Sequence, residues 1–177
     1  SADSMQIYKY MNIGTAKPTM KERQGIPHHM MDIIEPDESF NVALYQKDAK
    51  DAIQNIYKDG KLPILVGGSG LYINSIVYPM DFTDATEDLE YREYLYQVAK
   101  DEGKKHLHKK LKNIDPETGT KVHPNDLKRV VRALEIYHIT GKPMSEYRQD
   151  LEKADIPYNL SIIGLTMDRQ MLYERIN

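Results

Sequence analysis

Leu62-Pro63-Ile64-Leu65-Val66-Gly67-Gly68-Ser69-Gly70-Leu71-Tyr72 joins five apolar residues directly to a glycine turn. A short run that is apolar on both faces and stops at glycines has the pattern of a buried parallel strand, and a helix is predicted from about Leu71. Upstream, Val42, Tyr45, Ala49, Ala52, Ile53 and Ile56 recur at three- and four-residue spacing. They predict a helix capped by Ser39, running to about Asp59 and ended by Gly60. Helix, strand, turn and second helix make an α/β unit with a right-handed crossover. Leu160-Ser161-Ile162-Ile163-Gly164-Leu165 repeats the strand pattern, and Thr166 or Asp168 then caps a helix of about two turns. The expected fold class is therefore α/β with a parallel sheet.

Between these pieces, residues 84 to about 150 carry only helical signals. Asp84 and Glu87 form a candidate capping pair, followed by an apolar stripe of Leu89, Tyr91, Tyr94, Leu95 and Val98 up to Gly103. Leu107, Leu111 and Ile114 mark a second helix, stopped by Asp115-Pro116. Pro124 or Asn125 opens a third, with Leu127, Val130, Val131 and Leu134 inward and Gly141-Lys142-Pro143 closing it. The expected organisation is an α/β core from residues 1–83 and 151–177, interrupted by a helical insertion over 84–150.

The 177 residues can bury a real core, and 40% hydrophobic with 29% charged residues is ordinary for a soluble domain. No apolar run approaches the roughly 20 residues of a membrane helix. With no cysteine, disulfides, thiolate metal sites and cysteine nucleophiles are excluded, and a reducing cytoplasm is compatible. The six histidines do not have metal-ligand spacing: His28 and His29 are adjacent, and His106 and His108 lie on different helix faces. The net charge of −3 argues against holding polyanions by bulk charge. Its distribution is uneven. Residues 100–142 carry 11 Lys/Arg against 6 Asp/Glu, a local +5 that leaves −8 on the remainder. Such a basic stretch is either a solvated helical face or a polyanion-binding surface.

Three stretches carry candidate chemistry. Asp3, ahead of Ser4, stands where the end of a strand is expected, and open parallel sheets bind ligands at the carboxyl ends of their strands. The plainer alternative is an Asp that caps the next turn. Gly67-Gly68-Ser69-Gly70 allows close backbone approach and puts amides at a helix N-terminus, where an anion is stabilised. It is neither Gly-x-Gly-x-x-Gly nor a Walker A loop, so a plain strand-to-helix turn competes. On the third insertion helix Lys128, Arg129 and Arg132 lie three and four residues apart, so they project from one side while Val130, Val131 and Leu134 pack inward. Guanidinium groups grip phosphate oxygens bidentately; the alternative is pairing with Asp126 or Glu135 on the helix surface.

Together, Ser1-Ala2-Asp3-Ser4-Met5-Gln6-Ile7-Tyr8 with Met11-Asn12-Ile13-Gly14-Thr15-Ala16-Lys17-Pro18, Gly67 to Tyr72, and His123 to Glu135 resemble, in order, the tRNA dimethylallyltransferases, also called tRNA isopentenyltransferases. The resemblance covers nearly the whole chain. It implies a P-loop NTPase-like parallel sheet core, here incomplete, with an all-helical insertion. It implies transfer of a dimethylallyl group from dimethylallyl diphosphate to the N6 amine of the adenosine 3′ of the anticodon. Asp3 would be the catalytic base, drawing a proton from an aromatic amine that is a poor nucleophile. The tRNA contacts would be Asp3, Ser4, Met5, Gln6, Ser69, Arg92, Lys128, Arg129, Val130, Val131 and Arg132. Lys17, Gly67 and Gly68 would face the diphosphate. Arg92 is expected on the outer face of the first insertion helix. The family's phosphate loop, with its Mg²⁺-holding hydroxyl, precedes the Asp-Ser motif, and no Gly-x-x-x-x-Gly-Lys-[Ser/Thr] occurs here. Mg²⁺ is thus expected with ligands mainly outside this chain, no metal ligand is expected within it, and these residues alone are expected to be inactive. Further expectations are a cytoplasmic monomer, with the tRNA anticodon stem-loop and dimethylallyl diphosphate as partners and no membrane association. The alternatives are an adenine or small-molecule prenyl- or phosphotransferase on a related core, and a non-catalytic RNA-binding module.

Overall fold

The computed structural model describes residues 1–80, 87–153 and 155–176. Its elements are α1 (Met20–Arg23), α2 (Val42–Lys58), α3 (Gly70–Val77), α4 (Leu89–Asp101), α5 (Lys104–Ile114), α6 (Pro116–Lys121), α7 (Leu127–Thr140), α8 (Met144–Lys153) and α9 (Arg169–Ile176). Two separate apolar clusters organise them.

The first cluster joins the N-terminal segment to α2 and α3 through Ala2, Ile7, Met30, Tyr45, Ala49, Tyr72 and Ile76, with Tyr158 packed against it. Tyr45 and Tyr72 stack with ring centroids 3.8 Å apart, and the Tyr45 hydroxyl donates to the Ser1 carbonyl at 3.1 Å. Burial of that phenol, and secondarily the nearby Tyr72, holds the Tyr45 pKa well above its ordinary value. The stack therefore stays neutral and fixes the chain's first residues over the α2–α3 pair. Helix α2 begins later than Ser39 predicts, because Asn41 is the residue whose side chain accepts the Leu44 amide.

The expected strands are not formed among the described residues. Residues 6–9 and 32–34 exchange backbone hydrogen bonds around one parallel bridge, Tyr8 to Ile34. Leu62, Ile64 and Val66 are exposed, as are Ile162, Ile163 and Leu165, the last at 94%. A parallel strand is buried only where strands flank it and helices cover both faces. Among the described residues, Leu62–Val66 meets a backbone partner at its C-terminal end, where the Ala2 amide donates to the Val66 carbonyl at 2.7 Å.

The second cluster is built by α4, α5 and α7 around Leu95, Ala99, Leu107, Leu111, Val130, Val131, Ala133 and Leu134, with Met144 at its edge. Asp88 caps α4 through the Tyr91 amide; Asp84 and the 83/84 boundary lie outside the described residues. Likewise Asp126, one residue beyond Asn125, caps α7, and Gly141 ends it at φ +70°. Asp115-Pro116 does more than stop a helix. Asp115 closes α5 and opens α6, with Pro116 at its first turn. Its two carboxylate oxygens accept the amides of Thr118 and Ser145, each at 2.9 Å.

Burial pushes the Asp115 carboxyl up, but hydrogen bonds from Thr118 and Ser145 outweigh it and leave the carboxyl below its ordinary value. A carboxylate depressed in the folded state contributes stability above the unfolded pKa of about 3.9 and loses it as pH falls through the lower folded value. Asp115→Ala is expected to cost about 2–4 kcal/mol at neutral pH, since it removes a cap and leaves the buried Ser145 amide unpaired. Urea melts at pH 7 and pH 3 measure this: the gap between wild type and variant narrows at pH 3, and an equal gap at both would remove the charged-state argument.

Candidate active site and nucleic-acid interface

The first and second motifs meet. The Ala2 amide donates to Val66, the Ser69 amide donates to the Ala2 carbonyl at 3.0 Å, and the Ser4 amide donates to Ser69 Oγ at 2.9 Å. These bonds tie the chain's first residues to the glycine turn and join Ser4 to Ser69 across 65 residues of sequence, with Asp3 between the two bonded residues Ala2 and Ser4. A Cβ on Gly67 would lie 2.3 Å from the Ala2 carbonyl carbon and oxygen. The close backbone approach allowed by Gly67 is to Ala2 of its own chain. Gly68 has open space where a Cβ would project and stays at the turn's surface.

Asp3 is half-buried, and its Oδ1 accepts the Met5 amide at 2.8 Å and the Gln6 amide at 3.4 Å. The turn-capping role is real. It uses one oxygen, and Oδ2 has no partner among the described residues, so one carboxylate can both brace the loop and face a ligand. Met5 is exposed and Ser4 half-buried on the same turn. Gln6 is not on the contact surface: it is buried, its amide donates to the carbonyls of Thr15 and Ala16, and its oxygen accepts from the Ser1 hydroxyl. It braces the Asp3 turn against the 11–18 loop. Lys17 also departs from expectation. Its ammonium donates to Tyr8 O and Asp32 Oδ1, both at 2.7 Å, with the side chain 3% exposed, so it is committed to partners inside the protein.

On α7, Val130 and Val131 are fully buried in the second cluster. Lys128 and Arg129 are exposed on α7, Arg129 beside Asp126 at 3.3 Å. Arg92 faces α7 and not the outer side of α4. Its Nε meets Glu135 Oε1 at 2.8 Å and its Nη1 meets Glu87 at 3.5 Å. Arg132 meets Glu135 Oε2 at 2.6 Å. Glu135, expected at most as a surface partner for the α7 cations, is fully buried. Its signal was available, since an acidic residue amid Val130, Val131, Ala133 and Leu134 lies on the buried face. Among the described residues no three His, Cys, Asp or Glu side chains are grouped to hold a metal ion, and no helix is long and apolar enough to cross a membrane.

Residues 6–177 match the model of the IPP transferase family, and the chain belongs to that family. It is 54% identical over its whole length to a tRNA dimethylallyltransferase of Thermoanaerobacter sp. (strain X514) and 56% identical to that of Caldanaerobacter subterraneus subsp. tengcongensis. In both cases it spans 57% of the relative's length. Among solved structures it resembles the full-length tRNA isopentenylpyrophosphate transferase of Bacillus halodurans, at 45% identity and TM-score 0.58, covering 98% of this chain and 53% of that one. It also resembles a eukaryotic dimethylallyltransferase captured acting on tRNA, at 34% identity and TM-score 0.72, covering 89% of this chain and 39% of that one.

Proposed function

We propose that this chain is part of a tRNA dimethylallyltransferase, transferring a dimethylallyl group from dimethylallyl diphosphate to N6 of the adenosine 3′ of the anticodon. One observation carries the reading: hydrogen bonds from the Ala2 amide to Val66, from the Ser69 amide to Ala2 and from the Ser4 amide to Ser69 Oγ bracket the half-buried Asp3 at the Ser69 turn. An adenine placed over that turn would present its exocyclic amine to Asp3 Oδ2. Asp3 would accept the amine proton as the new N–C bond forms and the allylic C–O bond to diphosphate breaks, a contribution of about 10²–10⁴-fold. The base must be unstacked to enter, which fits a single-stranded anticodon-loop target. Lys128 and Arg129 on exposed α7 would neutralise backbone phosphates of the stem.

The exposed apolar runs 62–66 and 160–165 support a P-loop-like sheet that the complete enzyme closes, with the insertion standing apart as its own apolar cluster. Mg²⁺ takes one or two carboxylates plus substrate phosphates and not an all-protein cage. The described residues assemble no such ligand group, and its ligands are proposed to come with the phosphate loop of the complete enzyme. The test is a transfer assay on an anticodon stem-loop RNA, read by mass spectrometry of the nucleosides. The complete enzyme is expected to form N6-dimethylallyladenosine and this chain alone to form none. Transfer to free adenine, with none to RNA, would overturn the tRNA reading.

A further inference from the structure

We propose that Glu135 is a positioning residue for RNA binding: it holds Arg92 of α4 and Arg132 of α7 as one preformed pair of guanidinium forks. The inference rests on the proposed tRNA substrate. Glu135 is 0% exposed, and a carboxylate taken out of water is tolerated only when it is paired and hydrogen-bonded. It is satisfied from three directions. Oε1 accepts Arg92 Nε at 2.8 Å and the backbone amide of Asp88, the α4 cap, at 2.9 Å; Oε2 accepts Arg132 Nη1 at 2.6 Å.

A buried ion pair is a poor source of stability compared with an apolar replacement, so its value lies in the geometry it fixes. Two cations share one buried anion, and the exposed Glu87 meets Arg92 from the solvent side at 3.5 Å. The guanidinium-bearing side chains stay partly open to solvent, at 24% and 32% exposure. A guanidinium carries five donors, and Arg92 is held through Nε and Nη1, with planar edge left over for a phosphate. Two long side chains already ordered before binding lose less freedom on meeting RNA than two solvated ones.

Charge alone predicts the opposite of this proposal. Glu135→Gln removes a negative charge from an RNA-binding face, so pure electrostatics strengthens binding, whereas loss of positioning weakens it. The experiment measures affinity for an anticodon stem-loop RNA by anisotropy, at a temperature where circular dichroism shows each variant folded. Glu135→Gln is expected to weaken binding about five- to tenfold. The same change added to Arg92→Ala with Arg132→Ala is expected to have no further effect, since Glu135 acts through those two residues. Unchanged or tighter binding in Glu135→Gln, or an equal loss in the Ala background, overturns the proposal. If Glu135→Gln does not fold, Arg92→Lys with Arg132→Lys keeps both charges and removes both forks; a comparable loss supports the proposal, and binding at the parent level overturns it. Parent-level binding by the double Ala variant would instead show that these arginines meet no RNA, and both the positioning role and the RNA-facing reading of this cluster would fall.

Discussion

Asp3→Asn in the complete enzyme is expected to lower kcat for dimethylallyl transfer by about 10²–10⁴-fold while leaving the fold intact. The substitution separates the two jobs of the residue. Asn keeps a side-chain oxygen that can accept the Met5 and Gln6 amides, and Asx turns suit Asn as well as Asp. The loop therefore keeps its shape. What Asn cannot do is accept the amine proton, so the loss falls on the chemical step and KM for the RNA moves little. Single-turnover transfer to an anticodon stem-loop measures this, with a thermal melt alongside. A rate within tenfold of the parent would mean that Asp3 is only the turn cap, and the base would have to be sought elsewhere.

Gly67→Ala is expected to be the most damaging small substitution in the chain. The added methyl would lie 2.3 Å from two atoms of the Ala2 backbone and 2.8 Å from its Cα. Backbone cannot swing away as a side-chain tip can, so residues 1–4 must move off the turn and the Ala2–Val66 and Ser69–Ala2 hydrogen bonds are lost together. Overpacking of this kind costs about 1–3 kcal/mol, and a displacement of about 1 Å at a reacting group costs on the order of 10²-fold in rate. Gly70 supplies the contrast: a Cβ there meets nothing within 4 Å, so Gly70→Ala in the first turn of α3 is expected to keep or raise stability. Melting temperature and transfer rate are measured for both. Equal stability of the two variants would refute the proposed packing of Ala2 on Gly67.

Local patterns in the sequence were reliable where a helix buries its own stripe. Val130, Val131 and Leu134 were placed inward on α7 by spacing alone, and all three are buried. Helix starts were shifted by one to a few residues, because several nearby side chains could cap and only the fold selects Asn41, Asp88 and Asp126. The short α1, held by a Thr19–Glu22 capping box, and α8, beyond Gly141-Lys142-Pro143, were not foreseen. The strand reading of Leu62–Val66 identified an apolar run correctly but could not supply its neighbours, and hydrogen-bond partners on a parallel strand always come from elsewhere in the chain.

The sequence by itself determined the helices α4, α5 and α7, the cationic positions on α7, the ordered motifs that mark the family, and the candidacy of Asp3. Tertiary structure decided which of those residues are available. It drew Lys17 onto Asp32, Gln6 onto Thr15 and Ala16, and Gly67 against Ala2, and it turned Arg92 inward to share Glu135 with Arg132. The reason is physical: periodicity records which face of an element is apolar, whereas the partner of a polar group depends on which distant segment the fold brings within about 3 Å of it.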